Sequence, residues 1–183
     1  MTLSKSAELK KYIRRIPEFK GVVFWDITTL LKDKRIFCSC VRDISEHFKS
    51  KNVDVVASPE ARGFILGGAV AHDMEVGFVP IRKTGKLPSK TISLTYAKEY
   101  EEDTIEMHED AINKGDRVLF IDDLLATGGS ALASISLIEG AGGNVVGLGF
   151  LIELEYLDGK FRENVQNRYE VYSLVKYKSV SDI

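Results

Sequence analysis

Short apolar runs alternate with stretches of helical periodicity along most of the chain. Val53-Asp54-Val55-Val56-Ala57, Val76 to Ile81, Val118-Leu119-Phe120-Ile121 and Asn144 to Ile152 read as strands. Such runs are nearly continuous rather than alternating, as expected of parallel strands covered on both faces. Between them Phe37, Val41, Ile44 and Phe48 fall at i, i+4, i+7 and i+11, which predicts a helix over Lys34 to Lys51. A second helix runs from the Gly63 region to about Met74, and Ala131, Ile135 and Ile138 mark a third from about Ser130. Strands alternating with helices predict an α/β fold with a mainly parallel, right-handed sheet.

The rest of the pattern is less regular. Ile92, Leu94 and Tyr96 alternate, as does Thr104 to Met107, so this stretch reads as a hairpin with a charged tip at Lys98 to Asp103. Leu154 to Asn164 reads as helix, Tyr169 to Leu174 as a last strand, and Lys176 to Ile183 as a loosely ordered end. Near the start, Leu9, Tyr12, Ile13 and Ile16 share one helical face opposite Lys10, Lys11, Arg14 and Arg15, predicting a packing helix. Val22 to Trp25 then reads as a short strand. Gly67-Gly68, inside the second helix, suggests close approach of that helix to the sheet.

Composition narrows the class. At 183 residues, 44% hydrophobic and 28% charged, the chain fits one globular domain, 1–183. A net charge of -2 gives no pull toward nucleic acid or anionic membrane. No apolar run is long enough to span a bilayer, and the amino end lacks a signal-peptide core. Cys38 and Cys40 have no second pair, which excludes a zinc motif and fits reduced thiols in a cytoplasmic protein.

The chemistry concentrates in Arg117 to Ser136, RVLFIDDLLATGGSALASIS. Asp122 and Asp123 follow the buried run, at the carboxyl end where open α/β sheets bind ligands. Gly128 and Gly129 allow close backbone approach, and the following helix offers unpaired N–H groups to a phosphate. Thr127 and Ser130 add hydroxyl donors. A phosphate in the loop with vicinal hydroxyls on the carboxylates describes a ribose 5-phosphate. No G-x-x-x-x-G-K-[ST] or G-x-G-x-x-G occurs, which sets aside P-loop and dinucleotide readings.

The thirteen residues VLFIDDLLATGGS resemble the phosphoribosyl-pyrophosphate motif of type I phosphoribosyltransferases. GVVFWDITTLL at Gly21 to Leu31, EARGF at Glu60 to Phe64 and IRKTGKLP at Ile81 to Pro88 place the resemblance in the adenine branch, from about Ile13 to Leu174. It implies the type I fold with a small hood, built from about 1–33 and the end of the chain, over the base. It implies adenine stacked on Phe24 and read by backbone groups of Val23 and Trp25. The family usually has arginine where this chain has Trp25. If that arginine acts through its backbone, Trp25 replaces it; if through its charge, base specificity changes.

The same resemblance assigns pyrophosphate to Glu60, Ala61, Arg62, Arg82, Lys83, Lys86 and Tyr100, with a strained peptide between Glu60 and Ala61. Ribose hydroxyls go to Asp122 and Asp123, and the 5-phosphate to Ala126, Thr127, Gly128, Gly129 and Ser130. Glu99 is the implied proton-handling catalytic residue, in a lid over the substrate. The implied reaction joins adenine and phosphoribosyl pyrophosphate to give AMP and pyrophosphate. Mg²⁺ would be held mainly by substrate and water rather than by protein ligands, and the protein would be a homodimer. Two other readings stay open: the same chemistry on another base, and a non-catalytic sensor of phosphoribosyl pyrophosphate.

Overall fold

The computed structural model describes residues 5–19, 22–97, 102–157, 159–165 and 167–179. Its main sheet has seven strands: β3 (Val55–Pro59), β4 (Gly77–Lys83), β5 (Thr91–Ala97), β6 (Glu102–His108), β7 (Arg117–Leu125), β8 (Asn144–Leu154) and β9 (Val171–Tyr177). Their order is β5-β6-β4-β3-β7-β8-β9. The five strands from β4 to β9 are parallel, and the β5–β6 hairpin continues the sheet antiparallel beyond β4. Helices α3 (Lys34–Phe48), α4 (Arg62–Asp73), α5 (Gly129–Gly140) and α6 (Gly159–Val165) connect or cover these strands. The fold is therefore α/β with a mainly parallel central sheet, as the alternation predicts.

Strand β7 shows why its sequence is continuously apolar. Leu119 and Ile121 join one buried cluster with Ile44, Leu66 and Val70, while Val118 and Phe120 join a second with Ile135 and Ile138. Successive side chains enter opposite cores, so both sets must be apolar. Asp33 caps α3 by accepting from the N–H groups of Arg35 and Ile36 at 3.0 and 3.2 Å. Gly67 meets the expectation of close packing: a Cβ there would lie 1.9 Å from Ser58 Oγ. A Cβ on Gly68 would meet nothing.

The amino-terminal segment differs from the predicted helix. α1 spans only Lys5–Lys10, and Arg14–Phe19 forms strand β1, paired antiparallel with β2 (Val22–Asp26) in a separate two-stranded sheet. Pro17 explains the change. It cannot donate to a helical ladder, and it pushes Ile16 toward extended backbone. Short helix α2 (Thr28–Lys32) follows, after Asp26 accepts from the Thr28 N–H at 2.8 Å and from Arg14 Nη2 at 2.6 Å.

The loose order expected from Lys176 onward does not hold for Lys176 and Tyr177, while residues 180–183 lie outside the described residues. β9 continues through Lys176 and Tyr177, and Tyr177 is buried in the core. At the amino end of β9, His47 stacks on Tyr172 with centroids 3.7 Å apart and contacts Glu170 at 2.8 Å, which is a packing role. No helix among the described residues is long and apolar enough to cross a membrane.

Candidate active site

The loops at the carboxyl ends of β3, β4 and β7 gather most of the predicted site residues. Asp122 and Asp123 lie inside β7, not after it; the strand runs on to Leu125. Both carboxyl groups are nonetheless buried. Asp122 Oδ1 accepts from the Asp123 N–H at 2.8 Å and packs against Gly63, where a Cβ would lie 2.9 Å away. Burial first, and the neighbouring Asp123 second, hold the Asp122 carboxyl well above the ordinary carboxylate range. Burial raises Asp123 too, opposed by the Arg62 guanidinium. Burial and its neighbour thus disfavour the charged form of Asp122, whereas Arg62 favours the charged form of Asp123.

Arg62 opens α4 and reaches in three directions. Its Nε lies 2.8 Å from Asp123 Oδ2, its Nη1 donates to the Trp25 carbonyl at 2.8 Å, and its guanidinium lies 4.9 Å from the Phe24 ring centroid. The Asp123 contact is an ion pair without hydrogen-bond alignment, which leaves a buried carboxylate oxygen with unused acceptor capacity. Arg62 thus joins the β1–β2 hairpin to the acidic pair. Trp25 turns its side chain into the core, Phe24 is half-buried, and Val23 is exposed.

Beyond β7 the chain turns through Ala126 and Thr127 to Gly128. Gly128 has φ +79° and caps α5 with no side-chain hydrogen bond to the first-turn amides. A Cβ on Gly128 would lie 2.4 Å from Phe161 of α6, so both its conformation and its neighbour require glycine. α6 is in turn held by Arg162, which pairs with the fully buried Glu153; Lys176 approaches the same carboxylate at 3.3 Å. Thr127 is exposed, and Ser130 is half-buried with its carbonyl accepting from Ser134 Oγ. Uncapped amides at a helix start favour an anion there.

A second group lines the β3 and β4 ends. The Glu60–Ala61 peptide is cis. The Glu60 N–H donates to the Ile81 carbonyl at 2.9 Å, and the Glu60 carboxylate meets Arg82 Nε at 2.7 Å. Arg82 Nη1 also donates to the Lys86 carbonyl at 3.2 Å, and Lys83 pairs with Asp103 at 3.3 Å. Arg82 and Lys83 belong to β4 itself rather than to the loop after it. Glu99 and Tyr100 lie outside the described residues.

Two residues were not marked as functional in the sequence. Glu106, buried in β6, accepts from the Lys86 and Leu87 N–H groups at 3.2 and 3.3 Å and from Thr91 Oγ1 at 3.3 Å, so it shapes the basic loop. Tyr96 of β5 lies beside the start of α5, 3.9 Å from where a Gly129 Cβ would stand. Burial raises its hydroxyl pKa, with Asp103 adding to the effect. Strand alternation put Tyr96 on the apolar face and gave no sign of the helix start it faces.

The family profile described as the phosphoribosyl transferase domain matches residues 26–177. Adenine phosphoribosyltransferase of Koribacter versatilis is 50% identical over 171 residues, covering 92% of each chain. The chain belongs to the adenine phosphoribosyltransferase family. The family member from Dinoroseobacter shibae is 55% identical over 154 residues, or 83% of this chain and 86% of that one. Among solved structures of the family, the Rhodothermus marinus enzyme superposes with a TM-score of 0.89 at 45% identity, covering 95% of this chain and 99% of its own. The Saccharomyces cerevisiae enzyme, complexed with an imino-altritol bisphosphate and adenine, gives 0.85 at 34% identity, covering 93% and 98%.

Proposed function

We propose that this chain transfers the phosphoribosyl group of phosphoribosyl pyrophosphate to adenine, giving AMP and pyrophosphate, as purine salvage requires. One observation carries the reading: a buried acidic pair with unused acceptor capacity at Asp123 Oδ2 leads within seven residues into the uncapped start of α5. Ribose hydroxyls suit the first feature and a 5-phosphate the second. The names of the relatives supply the base.

In the reaction a ring nitrogen of adenine forms a bond to C1′ as the C1′–O bond to pyrophosphate breaks. The departing pyrophosphate keeps that electron pair. C1′ gains positive charge on the way, and the Asp123 carboxylate lies at the ribose to oppose it. Arg62, Arg82, Lys83 and Lys86 receive the leaving group together with Ala61, and the Glu60 carboxylate orients Arg82 rather than touching an anion. Tyr100 and Glu99 complete the lid, with Glu99 taking the proton that adenine loses. Ala126, Thr127, Gly128, Gly129 and Ser130 hold the 5-phosphate, fixing the sugar for attack. Phe24 stacks on the base while Val23 and Trp25 offer backbone groups to its edge.

The donor set also fits a Mg²⁺ that keeps most of its shell in water and substrate. Asp122 and Asp123 are the hard oxygen donors available to it through water or ribose oxygens. When bound, the ion neutralises charge on the departing pyrophosphate. The assembly proposed with this activity is a cytoplasmic homodimer in which a loop cation serves the neighbouring site. Sedimentation at a single-chain mass would remove that part.

The test is a product assay with phosphoribosyl pyrophosphate, Mg²⁺ and one base at a time. AMP from adenine alone is the expected result. A different nucleotide would move the specificity, and tight binding without any product would favour a sensor.

A further inference from the structure

The β1–β2 hairpin shares no ladder with the seven-stranded sheet. Side-chain contacts must therefore set its height over the strand ends. Trp25 makes one of these. Its indole is 2% exposed and lies 4.2 Å, centroid to centroid, from Tyr177 of β9, with the planes 39° apart. Lys10 of α1 places its ammonium 4.3 Å from the same Tyr177 ring. Leu9, Ile13, Ile27 and Leu154 belong to the same buried cluster.

The main chain of the same residue is held as well, by Arg62 Nη1 on its carbonyl. Trp25 is thus fixed to β9 through its ring and to α4 through its backbone, while its neighbour Phe24 lies beneath the Arg62 guanidinium. The indole Nε1 is buried without a hydrogen-bond partner among the described residues. A buried unpaired donor is a cost, so what the ring contributes here is bulk and an aromatic face.

We propose that the Trp25 side chain has a positioning role: wedged against Tyr177, the indole sets the distance between the base-reading strand and the sugar site, while only the backbone of the residue meets the base. The inference rests on the reading above, in which adenine docks on β2. Phosphoribosyl pyrophosphate would be gripped by the β3, β4 and β7 ends, which Trp25 does not support through its ring. The two substrates should therefore respond differently to its loss. The place where the family usually has arginine would then be tolerant of side-chain type, provided the replacement fills the space against β9.

The experiment is steady-state kinetics with both substrates varied, on wild type, Trp25→Ala, Trp25→Phe, Tyr177→Ala and the Trp25→Ala/Tyr177→Ala pair. Trp25→Ala should raise the adenine KM about tenfold, the scale of one lost aromatic contact. The KM for phosphoribosyl pyrophosphate should stay within about twofold of wild type. Trp25→Phe keeps a ring, discards the unpaired donor, and should restore most of the adenine KM. Tyr177→Ala should reproduce the split, and the double variant should be no worse than the poorer single. An equal rise in both KM values, an unchanged adenine KM in folded Trp25→Ala, or additive losses would each overturn the positioning role. If Trp25→Ala does not fold, Trp25→Val, which leaves the space against Tyr177 only partly filled, carries the same test. A wild type that makes no AMP would sink the proposed reaction itself, and this is seen before any variant is made.

Discussion

Glu60 and Arg82 meet at 2.7 Å across the carboxyl ends of β3 and β4, and Arg82 holds the Lys86 carbonyl with a second nitrogen. One guanidinium therefore braces two loops assigned to pyrophosphate. Arg82→Lys keeps the charge but loses the fork that makes both contacts. The KM for phosphoribosyl pyrophosphate should rise about tenfold, as for loss of one charge-assisted contact, with the adenine KM little changed. Wild-type kinetics in Arg82→Lys would show that only charge matters there.

Asp122 links stability to pH. Its folded carboxyl titrates above the ordinary range, whereas in the unfolded chain it does not. Between the two values the unfolded state releases a proton that the folded state keeps. Asp122 thus favours folding at low pH and loses that contribution as pH rises through the window. Asp122→Asn should accordingly melt higher than wild type at neutral pH in the absence of ligand, with the gap shrinking toward acid, while turnover falls. Melting curves across pH that stay parallel for the two proteins would refute the assignment.

Gly128→Ala combines a positive φ with a Cβ directed into Phe161. It should destabilise the fold by about 2 kcal/mol or more, read as a shifted urea midpoint. The affinity for the 5-phosphate end of AMP should fall with it. An unshifted midpoint would mean that α6 can move aside.

Glu99→Gln should lower kcat by about 10² to 10⁴, the usual worth of general acid–base catalysis, while AMP still binds. Unchanged turnover would remove Glu99 from the mechanism.

The site was legible where its signal is local. The run into Asp122, the glycines and the apolar helix after them occupy one continuous stretch, so burial on both faces of β7 and the turn at Gly128 could be read from neighbours in sequence. Distant pairings were not readable in this way. Arg62 reads in sequence as a candidate for anion binding, yet its partners include a carbonyl 37 residues away. Pro17 was the clue that Arg14–Phe19 would leave the helix, and helical spacing at Ile13 and Ile16 concealed it. Tyr177 continued the alternation of Ser173 and Val175 but lay too near the end of the chain to be weighed. Glu106 looks like an ordinary polar strand residue until the loop it supports folds over it.

Trp25 is the only tryptophan in the chain. Indole emission from this protein therefore arises at one point, in the hairpin, from a ring shielded from water by Tyr177. Unfolding followed by ultraviolet fluorescence therefore reads the loss of this one contact with β9, without any attached dye, rather than a spectral average over the sheet.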